Sequence, residues 1–233
     1  MIHFNLDTDK ELKRRLALLG FKKKGHFFER VYNDTKQSLG FGHSTYGLKD
    51  TRFYSLSFYI ECIPIIELKK KLDVSVSPIG NNIGYLMPEN SYKEWMLRKS
   101  DSEEYMSELI ESILESIEKY ALPYMNSLST MSELCCEIEL RNVVLMRLDN
   151  LKWRILLYYF MGDINMLIKT INNAEIGLHE KDVILYKKFI EKCLSLPNFE
   201  QITGDGSRDY FSSERSHGDR PPVRSLTNNL NTK

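Results

Sequence analysis

The residues that could carry catalysis are spread along this 233-residue chain and form no known motif. The chain has five histidines, each isolated in sequence. It contains no Walker-type phosphate loop, no GxSxG elbow, no HExxH helix and no CxxC pair. Gly80 and Gly84 lack the companion glycine and the helix context that a dinucleotide-binding loop needs. The sequence therefore favours a protein that is not an enzyme, since any catalytic site would have to be assembled from distant positions.

Two of the histidines, His26 and His43, are candidates for such an assembled site. They lie in two strand-like segments that are joined by a turn near residue 34. In the resulting hairpin they are expected roughly opposite each other, with Glu29 or Tyr46 nearby. Two polar residues on a solvated sheet face are the simpler interpretation of the same pattern.

A run of cations interleaved with aromatic rings follows the first predicted helix. Single-stranded nucleic-acid platforms combine cationic contacts to phosphate with aromatic stacking on bases. The alternative hypothesis, a nucleic-acid-binding or nucleic-acid-processing protein, uses Lys22, Lys23, Lys24, His26, Arg30 and His43. Strand alternation and protection of a sheet edge by lysines are the simpler explanation of the run. The equal totals of 32 basic and 32 acidic residues exclude the strongly basic composition of a dedicated nucleic-acid binder.

The balanced total charge conceals a segregation of charge along the chain. Residues 1–72 carry 14 basic and 8 acidic side chains, whereas residues 101–140 carry 1 basic and 10 acidic side chains. The candidate binding residues are five glutamates on one face of a predicted helix: Glu104, Glu108, Glu111, Glu115 and Glu118. Such a face can be solvated, can pair with the chain's own basic region, or can contact a basic partner, which would most simply be another protein.

The four cysteines have neither metal-site nor disulfide-framework spacing. They are Cys62, Cys135, Cys136 and Cys193. We expect reduced thiols in the core, with no metal and no cofactor.

The N-terminal stretch reaches charged residues before any long apolar run, and no segment approaches the ~18 apolar residues of a membrane span. The sequence thus predicts a cytoplasmic protein without membrane contact.

Hydrophobic periodicity predicts mixed structure in the first part of the chain. The predicted elements are a helix from Asp7 or Thr8 to Gly20, strands over 21–32, 37–46 and 52–63, a helix over 66–72, a short strand over 78–88 and a turn containing Trp95 and Leu97. The three longer strands form an antiparallel meander. Apolar or aromatic residues on both faces of the third strand indicate a central position in the sheet.

The clearest helix signal is the capping box from Ser100 to Glu103. Apolar residues recur at three- and four-residue spacings from Tyr105 to Tyr120, and we expect this amphipathic helix to end before Pro123. Further helices are predicted over 139–161, 164–172 and 179–196, the first two separated by Gly162 and Asp163.

These elements predict an α+β fold. An antiparallel β-meander sheet is packed by the N-terminal helix and the long amphipathic helix, and an all-α C-terminal helical extension follows. The predicted divisions are an α+β domain over 1–138, the helical extension over 139–198 and a disordered tail over 199–233, where polar residues, glycine and a Pro-Pro pair dominate.

Several segments in this order are similar to a known family. A helix leading into LLGFKKKGHFFERV, the strand RFYSLSFYIECI, the segment IGYLMPENSYKEW and a helix ending in KYALPYMNSLST resemble the bacterial domain-of-unknown-function family 4304 over about residues 8–138. The resemblance implies an α+β domain of bacterial or phage origin, often encoded near conflict systems. The resemblance does not identify catalytic residues in this chain, because the family has no established activity.

Two functional hypotheses remain after these observations. The first is a non-enzymatic protein-interaction module that uses the five glutamates, with a toxin-neutralising, immunity-like role or an accessory role in a defence system. The second is a protein that binds or processes nucleic acid through the basic segment. Convergence of the histidines in one concave site would favour an enzyme.

Overall fold

The computed structural model describes residues 10–140, 145–174, 178–197 and 199. Within these residues the chain has an α+β fold with an antiparallel sheet of six strands, as predicted. The strands are β1 (Lys22–Lys24), β2 (Phe27–Tyr32), β3 (Thr35–Ser44), β4 (Thr51–Cys62), β5 (Ile79–Asn82) and β6 (Glu94–Arg98). The helices are α1 (Lys10–Leu18), α2 (Ile63–Leu72), α3 (Glu103–Ser116), α4 (Leu122–Ser127), α5 (Met131–Glu139), α6 (Arg147–Met161), α7 (Ile164–Asn172) and α8 (Glu180–Cys193).

The sheet is a meander built around β4. The strand order is β1-β2-β3-β4-β5, and β6 also pairs with β4. On the side away from β3, β5 pairs with residues 57–60 of β4, and β6 pairs with residues 51–55. The predicted central position of the third strand is therefore confirmed.

The two faces of the sheet differ in burial because side chains alternate along each strand. On β4 the inner face carries Tyr54, Leu56, Phe58, Ile60 and Cys62, all buried. The outer face carries Phe53, Ser55, Ser57, Tyr59 and Glu61, all half-buried. The hydrophobic core therefore lies against the inner face.

Helices α1, α3 and α4 pack on this inner face. Leu12 and Leu16 of α1 are fully buried, as is Ile113 of α3. The side-chain amide of Gln37 donates a hydrogen bond to the Met125 carbonyl oxygen (2.6 Å), which ties β3 to α4. The predicted packing of the sheet by the N-terminal and the amphipathic helices is confirmed.

The helix predicted to end before Pro123 continues through it. The predicted capping box from Ser100 to Glu103 was wrong, because the helix cap is Ser102, which accepts a hydrogen bond from the Tyr105 N–H (3.1 Å). A π-helical turn over Ile117–Ala121 joins α3 directly to α4. Pro123 then lies in the first turn of α4, where its missing N–H disturbs the hydrogen bonding least.

Of the three C-terminal helices, α6 contacts the segment between α2 and β5, and α7 and α8 pack on α6. The Trp153 indole N–H donates to the Ser77 carbonyl oxygen (2.8 Å), and the Lys152 ammonium donates to the Ser75 carbonyl oxygen (2.9 Å). Gly162, with a φ of 69°, ends α6, and Asp163 caps α7. The predicted hinge between these helices is confirmed.

The buried side chains of the two predicted units form one hydrophobic cluster. The boundary at 138/139 stays a prediction, and contacts cross it.

The prediction of one helix over 139–161 was wrong, because Glu139 ends α5 and α6 begins at Arg147. Phe199, at the first position of the predicted tail, is buried and its ring contacts Tyr159. Residues 200–233 of that tail, and the start of the first helix, lie outside the described residues.

Two further predictions were wrong locally. The strand over 21–32 is divided into β1 and β2 by a turn at Gly25, which has a φ of 60°. The segment with Trp95 and Leu97 is strand β6 and not a turn. Both side chains point to the core, and the strand is stabilised by pairing with β4, more than 30 residues earlier in the chain.

Candidate functional site

The five candidate glutamates lie on one face of α3 and the π-helical turn, and we call this surface the acidic ridge. Its members are Glu104, Glu108, Glu111, Glu115 and Glu118, all of them exposed. Spacings of three and four residues place them within a stripe about 80° wide on the helix. The ridge is about 21 Å long, at 1.5 Å per residue.

Arg15 of α1 contacts the C-terminal half of the acidic ridge. Its guanidinium nitrogens lie 3.2 Å from Glu111 Oε1 and 3.5 Å from Glu118 Oε1. The two carboxylates remain largely exposed, so each pair is screened by solvent and is worth less than about 1 kcal/mol. Pairing of the acidic helix with the chain's own basic region is thus present, at one arginine.

The other three glutamates, Glu104, Glu108 and Glu115, make no ion pair within the described residues. Like charges three or four residues apart on a helix repel each other by about 0.2–0.5 kcal/mol per pair. The ridge therefore slightly destabilises its own helix. It presents three uncompensated carboxylates that can bind lysine or arginine side chains.

The basic segment does not form one surface. On strand β1, Lys22 and Lys24 point to the outer face and Lys23 points to the inner face, over the Phe28 ring (5.9 Å to the centroid). The Lys24 ammonium lies 3.5 Å from the Glu29 carboxylate. Because β1 is the edge strand of the sheet, three exposed lysines there protect against edge-to-edge association.

Arg30, a predicted nucleic-acid contact, is instead a half-buried link between elements. Its guanidinium donates hydrogen bonds to Gln37 Oε1 (2.9 Å), the Leu19 carbonyl oxygen (2.9 Å) and Asn126 Oδ1 (2.5 Å). The rings of Phe21 and Tyr32 also contact this guanidinium. Burial lowers the pKa of Arg30, but a guanidinium stays charged at neutral pH. Its donors face the interior, so they cannot serve as phosphate contacts on the sheet.

His26 and His43 do not come together. His26 lies in the turn before β2, where the first pair of the ladder joins Phe27 to Gly40. His43 lies three residues beyond Gly40 on β3, which is about 10 Å along the strand. Its ring lies near Tyr54. Glu29 points to the opposite face of the sheet, because it pairs with Ser38 and not with an inner-face residue.

Tyr46 is likewise separate from this pair of histidines. It lies in the turn between β3 and β4, and its hydroxyl donates to Glu94 of β6 (3.0 Å). The four residues of the possible assembled site are thus spread over a turn, both faces of the sheet and a second turn. The described residues also hold no group of three or more His, Cys, Asp and Glu side chains that could bind a metal ion.

A chain of alternating charges crosses the outer face at the end of the sheet near α2. The Lys36 ammonium lies 2.8 Å from Glu61 and 3.7 Å from Glu29, and the Lys69 ammonium lies 3.1 Å from Glu61. Burial alone would raise the pKa of Glu61, but its hydrogen bonds and charge interactions with the two lysines outweigh burial and lower it. Each charge in this network is paired with an opposite charge, so the network stabilises the sheet and is not an open binding site.

A small pocket lies beside β5, and we call it the tyrosine pocket. Its lining residues are Phe58, Ile79, Gly80, Asn81, Tyr85, Leu86 and Tyr124, and its volume is about 80 Å³. The Phe58 and Tyr124 rings meet edge to face, with centroids 5.4 Å apart. Burial, together with the charge of Glu137, raises the pKa of Tyr124 to about 12, so its hydroxyl stays protonated at neutral pH.

Three of the four cysteines are buried, as predicted, but Cys136 is exposed. Cys135 and Cys136 are neighbours on α5, and successive helical side chains point about 100° apart, so only one can face the core. Burial raises the pKa of Cys62 to about 11 and that of Cys193 to about 12, which keeps both thiols protonated and unreactive at neutral pH.

Two residues that contribute to these surfaces were not predicted from the sequence: Arg15 at the acidic ridge and Tyr124 in the tyrosine pocket. Arg15 was one of several N-terminal cations, and nothing in its spacing identified Glu111 as its partner. Tyr124 follows Pro123, where the helix was expected to have ended. The helical periodicity of Leu122 and Met125 was the signal that could have extended it.

Comparison of the chain with family models, curated proteins and solved structures finds no match. The resemblance to the domain-of-unknown-function family 4304 therefore stays a prediction. None of the helices in the described ranges is long and apolar enough to cross a membrane.

Proposed function

We propose that this chain is a non-enzymatic protein-interaction module whose acidic ridge binds a basic surface of another protein. The proposal depends on the exposure of the ridge glutamates and on their lack of ion-pair partners. Five exposed glutamates share a single stripe, and Glu104, Glu108 and Glu115 have no ion-pair partner within the described residues. A partner that supplies lysines or arginines at matching spacing would relieve the repulsion along the stripe and would associate faster at low salt.

The role of Arg15 makes the proposal more specific. Because Arg15 contacts Glu111 and Glu118, the partner's cations would contact Glu104 and Glu108 at the N-terminal end of the ridge and Glu115 between the two glutamates that Arg15 contacts. In the finer form of the proposal, the partner is a toxin or a component of a bacterial or phage defence system, whose basic surface the ridge would mask.

The alternative, a nucleic-acid-binding protein, receives less support from the geometry. Of the six residues it requires, Arg30 is committed to internal hydrogen bonds, Lys23 and Lys24 point to opposite faces, and His26 and His43 are apart. A nucleic-acid backbone needs several cations on one accessible surface.

The test is a charge reversal limited to the three unpaired glutamates, Glu104→Lys, Glu108→Lys and Glu115→Lys. The pairs with Arg15 stay intact, so the fold should keep its melting temperature. The matched control makes the same change in charge at exposed acids elsewhere, Glu67→Lys, Glu89→Lys and Glu191→Lys. The ridge variant, the control variant and the wild type are each used to capture partners from an extract of the native host at two salt concentrations.

The proposal predicts one protein that the wild type and the control capture in a salt-sensitive manner and the ridge variant does not. If the ridge variant and the control capture the same proteins as the wild type, the ridge is only a solvated helix face. If the captured material is nucleic acid that Lys22→Ala and Lys24→Ala release, the alternative is correct and the proposal is wrong.

A further inference from the structure

The tyrosine pocket is too small for a nucleotide or a large cofactor. Its volume of about 80 Å³ corresponds to about three water molecules, whereas pockets for drug-sized ligands occupy about 300–1,000 Å³. A ligand can therefore place only a head group of a few non-hydrogen atoms in it. The rest of the ligand would extend past Tyr85, which is 42% exposed.

Aromatic side chains supply three of the seven lining residues. Phe58 and Tyr124 are held edge to face, so their two rings are fixed at 72° and form a corner. Tyr85 comes from the short 3₁₀ helix after β5, and Ile79 and Leu86 complete the apolar lining. Aromatic faces carry partial negative charge and attract cations, most strongly when water is excluded.

The polar groups of the pocket disfavour an anion. No lysine, arginine or histidine is among the lining residues. The Asn81 side-chain oxygen accepts a hydrogen bond from the Asn82 N–H (2.8 Å), and the Tyr124 hydroxyl makes no hydrogen bond to a described residue. The nearby Glu137 carboxylate interacts electrostatically with Tyr124, which makes the local potential more negative.

From this size, aromatic lining and electrostatics we infer that the tyrosine pocket binds a methylated ammonium head group. A quaternary or trimethylated nitrogen is compact, has apolar methyl groups and carries a diffuse positive charge, so it suits aromatic walls without needing a direct ion pair. The head group could belong to a small molecule such as choline or to a methylated lysine side chain. This inference is independent of the acidic ridge.

The test is an NMR titration of the full chain with labelled tyrosine rings. The probes are choline and 3,3-dimethylbutan-1-ol, which has the same shape but a neutral carbon in place of the nitrogen. The variants are Tyr85→Ala and Glu137→Gln. The matched control is Tyr92→Ala, because Tyr92 is also exposed (55%) and does not line the pocket. Melting curves check that each variant is folded.

We expect saturable shifts of the Tyr85 and Tyr124 resonances with choline and binding of the neutral alcohol that is at least about fivefold weaker. Tyr85→Ala should weaken choline binding about fivefold. Glu137→Gln should weaken the binding of choline but not of the alcohol, whereas Tyr92→Ala should change neither. Saturable binding of choline is the required result, and its absence overturns the inference. Equal affinity for the two probes overturns it as well, since the pocket would then recognise shape alone.

A third probe, a short peptide with one trimethyllysine, separates the two sources of the head group. Tighter binding of the peptide than of choline would assign the pocket to a modified protein, and tighter binding of choline would assign it to a small molecule. If Tyr85→Ala unfolds the chain, the different responses of the two probes to Glu137→Gln still decide the result.

Discussion

Replacing Arg30 by alanine should destabilise the protein strongly, although the residue is polar and belongs to a basic stretch. The change removes a guanidinium that donates to Gln37, Leu19 and Asn126 and thereby joins β2, β3, the end of α1 and α4. The Gln37 side chain is fully buried, so water cannot readily replace the lost donor.

The expected loss follows from the groups left behind. A buried acceptor without a partner costs about 1–3 kcal/mol, and Arg30→Ala leaves the Gln37 oxygen in that condition, while the part-buried Leu19 carbonyl oxygen adds a smaller cost. The Asn126 oxygen can turn toward solvent. We therefore expect about 3 kcal/mol of destabilisation in the free energy of unfolding. Arg30→Lys should cost less, about 1–2 kcal/mol, because an ammonium keeps the charge but cannot reproduce the planar fork.

The assay is urea denaturation followed by circular dichroism, with the midpoint shift read at constant slope. Arg14→Ala is the matched control, since Arg14 is exposed and forms an ion pair with Glu11 on its own helix. That pair is exposed and screened by solvent, so its loss should hardly move the denaturation midpoint. Equal, small effects of the two substitutions would refute the structural role of Arg30. Arg30 would then be an ordinary surface cation that could contact a ligand.

Three other predictions follow from burial, close contact and charge. Ile113→Asp places an unpaired carboxylate at a fully buried position and should cost several kcal/mol, so a soluble, cooperatively melting variant would contradict the packing of α3. Gly80→Ala should lower the melting temperature markedly, because a Cβ there would lie 2.2 Å from the Phe58 carbonyl oxygen; an unchanged melting curve would contradict this register. The lowered pKa of Glu61 means that its ion pairs stabilise the fold above the ordinary carboxyl pKa and lose this effect as the pH falls below that value and through the lowered pKa of the folded protein. Glu61→Gln should therefore flatten the acid limb of a stability–pH curve, and an unchanged limb would show that the pairs are too screened to matter.

Local signals in the sequence were sufficient for elements that are stabilised by their own residues. The turn at Gly162 and Asp163 depends on neighbours within a few positions and lies where the sequence predicts it, whereas the helix cap is Ser102 and not the predicted Ser100. Strand β6 was missed because its stability comes from β4. The turn at Gly25 was missed because cations and aromatic residues occur on both sides of it and were interpreted as one continuous strand.

The candidate site was less predictable, for a related reason. Cations next to aromatic rings have the same sequence pattern whether they line a ligand surface, as proposed for the basic segment, or hold elements together, as Arg30 does. The partners that distinguish the two cases lie up to 96 residues away. The five glutamates could be placed on one face because helical spacing is local, but which of them Arg15 would contact could not be deduced.

The order in which the strands of the sheet enter the chain has a consequence for biosynthesis. When the ribosome has just released β4, one edge of that strand can pair with β3, but the partners of its other edge, Ile79–Asn82 and Glu94–Arg98, have not yet emerged. The apolar inner face also waits for α3 and α4, which come later still. A nascent chain therefore exposes an unpaired edge and an uncovered apolar face over the synthesis of several dozen residues. Chaperone binding or translational pausing would have most effect on the yield of folded protein within this interval.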